Sequence, residues 1–339
     1  MSDAIVPAAS VELPGKAPDY APLLLVPAVA IAMIPLVGSF PAWVTLTVAG
    51  LAMGMMIFIM ASGLTLVFGL MDVLNFGHGA FVSVGAYAAT LALLPLAGWA
   101  SADSIVTNLA AVAFAIVVAM AATGLVGWVF ERLLVRAVYG QHLRQILITM
   151  GGAIVTEQLL SVIWGPDPIP LPLPETLRGA FVMGDVAIEK YRLLAVAVGL
   201  AVFAAMFLVL NRTRIGLLIR AGVENGPMVE ALGYRIRRLF VGVFVAGSAL
   251  AGLGGVLWGL YREMLTPAMG GEIVVMVFIV IIIGGLGSVG GCFIGALLTA
   301  LAANYAGFLA PKLALASNIL VMVAVLLWRP AGLYAVARR

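Results

Sequence analysis

Asp72, Asn75 and His78 place a carboxylate, an amide and an imidazole within seven positions of one another. They sit inside Ser62–Tyr87, SGLTLVFGLMDVLNFGHGAFVSVGAY, together with Gly63, Gly69, Gly77, Gly79 and Gly85. An imidazole there can donate to a carboxylate or titrate near neutral pH. It can equally bond a backbone carbonyl freed by the glycines, and both readings stand. A helix starting near Gly77 would present free N–H groups to an anion, and Asp72 would cap the short element after it. Glu157 and Gln158, within LITMGGAIVTEQLLSVIW, form a second polar point. A carboxylate in such a run requires a partner or water. Contact with an ammonium group and a hydrogen bond to a facing helix are the two readings. His142, among arginines, reads as solvated, and the methionines of Met53–Met60 read as packing.

The elements that hold these residues are apolar. Of the 339 residues, 64% are hydrophobic and 10% charged, against about 25% charged in a soluble domain. Mean hydropathy is +1.18. The runs are long and do not alternate, which excludes barrel strands and leaves an all-α polytopic membrane protein. Ten spans are expected near 22–38, 43–70, 77–97, 105–130, 145–164, 193–211, 239–261, 272–290, 291–309 and 313–328, with 8 to 10 crossing. The pair 272–290 and 291–309 also reads as one span plus a re-entrant piece. Lipid supplies no hydrogen bonds, so a glycine-interrupted run with polar residues at the break is the sequence form of a broken helix beside a solute path.

Charge sets the orientation. In this span order 13 of the 18 Lys and Arg fall on one side: Lys16, Arg132, Arg136, Arg144, Arg212, Arg214, Arg220, Arg235, Arg237, Arg238, Arg329, Arg338 and Arg339. Basic residues gather in the cytoplasm, so both termini are expected inside, as an even span count requires. The resulting organisation is a tail at 1–20, one transmembrane domain at 21–329 and a tail at 330–339. Within the domain, 212–238 is a cytoplasmic loop and 165–192 an extracytoplasmic one. The latter has five prolines within Pro166–Pro174 and then a hairpin around Gly184-Asp185 in Ala180–Lys190. It reads as a docking cap or as a rigid connector.

A second break, Gly284-Gly-Leu-Gly-Ser-Val-Gly-Gly291, contains a formal G-x-G-x-x-G. Membrane spans flank it and no acidic residue follows, so it is not a dinucleotide fingerprint. Gly285, Gly287 and Ser288 read as a second broken helix lining a path between two halves, or as close helix packing of the Gly291-xxx-Gly295 kind.

Two stretches carry a family resemblance: Gly63 to Phe81 with its Asn75-Phe-Gly-His-Gly79 element, and Arg214 to Gly259 with Glu230-Ala-Leu-Gly233, followed by GGLGSVGG. The chain resembles, from about residue 45 to 335, the permease subunits of the branched-chain amino acid (Liv-type) ABC importers. The first span, near 22–38, stands outside that likeness. The resemblance implies a transmembrane permease subunit working by alternating access and paired with a second related permease, to which Glu157 could also pair. It implies two ATPase subunits holding ATP-Mg, a periplasmic solute-binding protein, and the bacterial inner membrane. Solutes of the family include leucine, isoleucine and valine, and among relatives urea, amides and aromatic acids. Asn75, Gly77, His78, Gly79, Glu157, Gly285, Gly287 and Ser288 would line the path. Glu230, Ala231, Leu232, Gly233 and Arg235 would couple to an ATPase. Pro227 suits the first turn of a short coupling helix and Gly233 its left-handed end; a solvated basic loop is the plainer reading.

The chain has no G-x-x-x-x-G-K-[ST], so it is not expected to be an enzyme or to hold a cofactor of its own. Met60 breaks the serine-protease pattern Gly-x-Ser-Gly at Ser62, no metal-ligand cluster is apparent, and nucleic acid is not an expected partner. The competing class is an ion-coupled transporter or channel with His78, Asp72 and Glu157 as a proton relay.

Overall fold

The computed structural model describes residues 19–334. The expected tails lie largely outside the described residues, with Lys16, Arg338 and Arg339. Fourteen helices follow in order: α1 (Ala21–Ala32), α2 (Ile34–Val37), α3 (Phe40–Met71), α4 (His78–Leu93), α5 (Ala97–Ala100), α6 (Ile105–Leu133), α7 (His142–Trp164), α8 (Lys190–Arg212), α9 (Arg214–Glu224), α10 (Gly226–Ala231), α11 (Ile236–Arg262), α12 (Met269–Gly284), α13 (Val289–Leu309) and α14 (Ala314–Trp328). Four short strands are β1 (Ile169–Pro170), β2 (Ala180–Met183), β3 (Val186–Glu189) and β4 (Met264–Leu265).

Among the described residues six helices are long and apolar enough to cross a membrane: α3, α6, α7, α8, α11 and α13. Four shorter apolar stretches, at α1–α2, α4, α12 and α14, complete the ten expected positions. At 16 residues each, α4 and α12 rise about 24 Å, short of a core of about 30 Å. Two expected spans therefore change their limits. The span at 77–97 stops at Leu93, and the span at 272–290 runs from Met269 to Gly284. A tight turn at Gly285–Ser288 then sends α13 back along α12, so the pair is two antiparallel helices.

The hub is α3. Within its apolar stretch 83% of the residues are buried, against 11% in α7. Gly50 and Gly54 let α13 cross close, at Leu301 and Leu297, and the order of these contacts makes the pair antiparallel. On the same helix Gly63 meets Gly247 of α11. Phe58 meets Phe203 and Phe293 edge-on, and those two rings lie tilted against each other, joining α3, α8 and α13. Small residues let backbones approach, the usual driving force for helix packing in lipid.

The hairpin expected at Ala180–Lys190 forms as β2 and β3, paired Ala180 with Glu189 through Met183 with Val186. The proline stretch does something its sequence did not announce. It lends β1 to an antiparallel pair with β4, Ile169 opposite Leu265, which ties the 165–192 loop to the α11–α12 connection.

Candidate functional site

The first break begins where α3 stops. Asp72 takes a left-handed conformation (φ 54°) and its amide donates to the Phe68 carbonyl. It therefore ends α3. The expectation that it caps the following element is corrected, because Gly77 occupies that position. Its carboxylate lies 3.9 Å from His142 Nε2, and both side chains are about half exposed, so His142 has a carboxylate neighbour in addition to solvent.

The N–H groups ahead of α4 are already used. Phe76 N donates to Thr149 Oγ1 at 3.1 Å, Gly77 N to Asn75 Oδ1 at 3.0 Å, and His78 N to the Asn75 carbonyl at 3.3 Å. A helix start near Gly77 is present, but these three amides are spoken for. His78 is buried, with Nε2 2.8 Å from the Met60 carbonyl. That contact makes Nε2 the protonated nitrogen and Nδ1 an acceptor. Nδ1 and Asn75 Nδ2 are buried with no hydrogen-bond partner among the described residues.

One turn further, α4 meets α12. Gly79 and Gly270 touch backbone to backbone, and a methyl group on either would collide with the other's carbonyl. Ser83 secures the crossing: its Oγ donates to the Pro267 carbonyl at 3.0 Å and accepts from Gly270 N at 2.9 Å. Beside it lies a small cavity of about 40 Å³, lined by Phe76, Gly79, Ser83, Glu157, Pro267 and Val274 among others. Phe76 stacks on Phe278, ring centres 4.5 Å apart. Two residues far apart in sequence, Gly79 and Glu157, thus reach one cavity. Asn75, Gly77 and His78 sit beside it but are turned into the protein.

Gly285, Gly287 and Ser288 are not part of that cavity. They lie at the opposite end of α12, about 24 Å along its axis. Gly285 (φ 94°) and Gly287 (φ 85°) make the turn, and Ser288 Oγ caps α13 by accepting from Gly291 N at 3.1 Å. Gly287 packs on Gly69 of α3. The carbonyls at the end of α12, Ile283 and Gly284, accept from Leu333 N and Tyr334 N at 2.8 and 3.0 Å. The segment after α14 thus closes the second break, a contact with no signal in the sequence.

The loop at 212–238 folds into α9 and α10. Asn225 caps α10 by accepting from Met228 N at 3.1 Å, Pro227 lies in the first turn, and Gly233 takes the left-handed conformation (φ 87°). Val229 is buried and anchors the helix, whereas Glu230, Ala231, Leu232 and Arg235 are exposed. Exposed Met228 and Tyr234, which motif reading passed over, join Leu232 in an apolar surface. Glu230, Gly233, Tyr234, Arg235, Arg237 and Arg238 line an open hollow of about 410 Å³. Apolar side chains ringed by guanidinium groups suit a protein groove with an acidic rim. At the neighbouring end of α6, buried Glu131 accepts from the Tyr139 hydroxyl at 2.8 Å, and burial with this carboxylate pushes the Tyr139 phenol up from its ordinary range. Among the described residues no group of three or more His, Cys, Asp or Glu could hold a metal.

Among the described residues ten apolar helical stretches, of which the short α4 and α12 meet at a small cavity holding one carboxylate, define a multi-pass membrane protein built around interrupted helices. The profile of the family described as "Branched-chain amino acid transport system / permease component" matches residues 46–327, and the chain belongs to that family. It is 30% identical over 295 residues to the high-affinity branched-chain amino acid transport system permease protein BraD of Pseudomonas aeruginosa, covering 84% of this chain and 94% of BraD. It is 26% identical over 291 residues to the corresponding permease protein LivH of Escherichia coli, covering 84% and 92%. A probable branched-chain amino acid transport permease protein LivH of Methanocaldococcus jannaschii is 24% identical over 293 residues. No solved structure matches the chain. The matched region leaves out α1 and α2, in keeping with a first span outside the resemblance.

Proposed function

We propose that this chain is the membrane-spanning subunit of an ATP-driven, binding-protein-dependent importer for branched-chain amino acids or related small polar or carboxylate solutes. Its home is the bacterial inner membrane, with both termini and the 212–238 loop in the cytoplasm. It works beside a second related permease, two ATPase subunits that hold ATP-Mg, and a periplasmic binding protein. The observation that carries this reading is α10: a short, capped helix standing out on the basic side with Met228, Leu232 and Tyr234 exposed. A groove in an ATPase would cover those side chains and move the helix.

The solute path runs past the first turns of α4 and α12 and past Glu157 on α7. It opens alternately to the two sides as the ATPases close and part. The exposed length of α7 is then the face turned toward the path and the second permease. The proton-relay alternative needs Asp72, His78 and Glu157 in sequence. Asp72 lies beside His142, His78 on Met60, and Glu157 in the α4–α12 cavity, and this dispersal speaks against a relay.

Two experiments test the proposal. Affinity purification of the tagged chain from native membranes in mild detergent should bring two ATPases and a sister permease. A chain recovered alone that transports in liposomes without ATP overturns the importer. Within the assembled complex, Glu230→Ala and Gly233→Asp should leave the permease folded and uncouple ATP hydrolysis from uptake. Full coupling in both variants removes α10 from the ATPase contact.

A further inference from the structure

We propose that Glu157 is the receptor for an ammonium group on the translocated solute, so that the path favours molecules with a free amino group over carboxylates that lack one. This rests on the reading above that the α4–α12 cavity belongs to the solute path. Beyond His142 and Arg144 in its first turn, Glu157 is the one ionisable side chain in α7, on the least buried of the six long helices. A carboxylate at that depth requires water or a cation. Among the described residues no Lys, Arg or His lies within 4 Å of it as an ion-pair partner.

The chemistry of the cavity points the same way. Its polar lining is Glu157, the Ser83 hydroxyl and the region of the Pro267 carbonyl. The Ser83 hydrogen is committed to Pro267, and the Gly270 N–H is committed to Ser83. Among the side chains and the Pro267 carbonyl, what remains unfilled is lone pairs: the carboxylate oxygens, and the second lone pairs of the hydroxyl and the carbonyl. The Gly79 and Gly271 N–H groups at the starts of α4 and α12 add donors to the lining, but the one charge is the Glu157 carboxylate and no basic side chain lines the cavity to receive an anion. An ammonium group brings three donors and a positive charge. The cavity volume of about 40 Å³ exceeds the roughly 10–15 Å³ that a single water needs on the same measure. It seats a small head group and leaves the bulk of a larger solute outside. Phe76 and Val274 give the cavity apolar walls.

The same positive charge has a second conceivable source, a basic side chain of the sister permease. The test separates the two. Cys292 is the chain's one cysteine and is buried, so Glu157→Cys introduces a single accessible thiol. The full importer, with cysteine-free partner subunits, is reconstituted in proteoliposomes, with radiolabelled L-leucine as the probe. Uptake by Glu157→Cys and by Glu157→Gln should fall about tenfold or more, the scale of losing a desolvated charge partner, while Glu157→Asp retains most of it. A water-soluble methanethiosulfonate carrying a sulfonate should label the introduced thiol and restore much of the uptake. The trimethylammonium reagent should label it and restore none.

Equal effects of the two adducts overturn the ammonium receptor and leave the path reading intact. Failure of both reagents to label overturns the path reading and the receptor with it. Loss of the sister permease from the Glu157→Gln complex assigns the carboxylate to the subunit contact and overturns the proposal.

Discussion

At the scale of single residues, the polar groups of the two breaks divide into those that hold the fold and those that face the cavity. His78 belongs to the first kind. Its Nε2 bridges α4 to the Met60 carbonyl on α3, inside a wall of apolar side chains. Replacing it by Ala leaves a void and removes a buried hydrogen bond, a loss of about 1–3 kcal/mol. The expected result is a lower thermal midpoint in detergent for His78→Ala and a smaller drop for His78→Gln. An unchanged midpoint together with lost uptake would move His78 to the path. Ser83 belongs to both kinds, since one hydroxyl joins α4 to the Pro267 carbonyl and to the start of α12 while facing the cavity. Nothing in the sequence around Ser83 distinguishes it from the other serines of the helices. Only the crossing of α4 and α12 reveals its place.

At the scale of elements, two backbone conformations do work that side chains cannot. Gly287 has φ 85° and touches Gly69 on α3. Gly287→Ala adds left-handed strain of about 1–2 kcal/mol and a steric conflict with the hub helix. Reduced yield of folded protein and faster hydrogen exchange at 285–288 are the expected outcome. Normal exchange there would show that the turn is not constrained by α3. Gly233 also has positive φ (87°), but a methyl group added there meets nothing within 4 Å. Within the chain the conformation is the only demand, and Asn tolerates it where β-branched residues do not; Asp tolerates it too, so Gly233→Asp acts through the negative charge it adds against the acidic rim proposed for the ATPase groove. Gly233→Asn should therefore keep ATP-coupled uptake, whereas Gly233→Val should lose coupling without lowering the thermal midpoint. Equal coupling in both variants would detach the left-handed cap from α10's role. The bounds of α10 were legible in advance at Pro227 and Gly233 because such signals are local, each acting within one turn of the backbone it controls; the N-cap at Asn225 came only with the structure.

At the scale of the whole molecule, the two ends of the described chain meet. Arg329 Nη1 lies 2.6 Å from Asp19 Oδ2, and the Tyr334 hydroxyl donates to the Asp19 carbonyl at 2.8 Å. Both partners fall outside the region that matches the family, 46–327. The Arg329 guanidinium holds the Asp19 carboxyl below its usual range. The folded state thus gains from this ion pair above the ordinary Asp value near ~3.9, and the gain disappears as pH falls from there through the lowered value. The pair is solvent-exposed, so the effect is local and small. Hydrogen exchange at the start of α1 should rise over that acidic window, and Asp19→Asn should show the faster exchange already at pH 7. Exchange that is independent of both would leave α1 held only by its apolar contacts, where Leu25, Val26 and Val29 pack beside Ile279, Ile283, Ile294 and Leu298.

Composition and hydrophobic run length determined a polytopic helical membrane protein and the ten apolar stretches, because lipid penalises every unpaired backbone group and so dictates helices wherever apolar runs are long. Local turn chemistry determined the breaks within 72–79 and 284–291, the hairpin within 180–190 and the left-handed end of α10 at Gly233. The tertiary structure decided what those breaks adjoin. Gly79 meets Gly270, and Glu157 reaches the same cavity. Gly287 instead meets Gly69, with residues 333 and 334 closing α12 behind it. These contacts join residues far apart in the chain, and glycine and serine at such crossings carry no periodicity or spacing that marks their partner. Whether a glycine serves a path or a packing contact depends on the helix laid against it, and that is settled only when the bundle assembles.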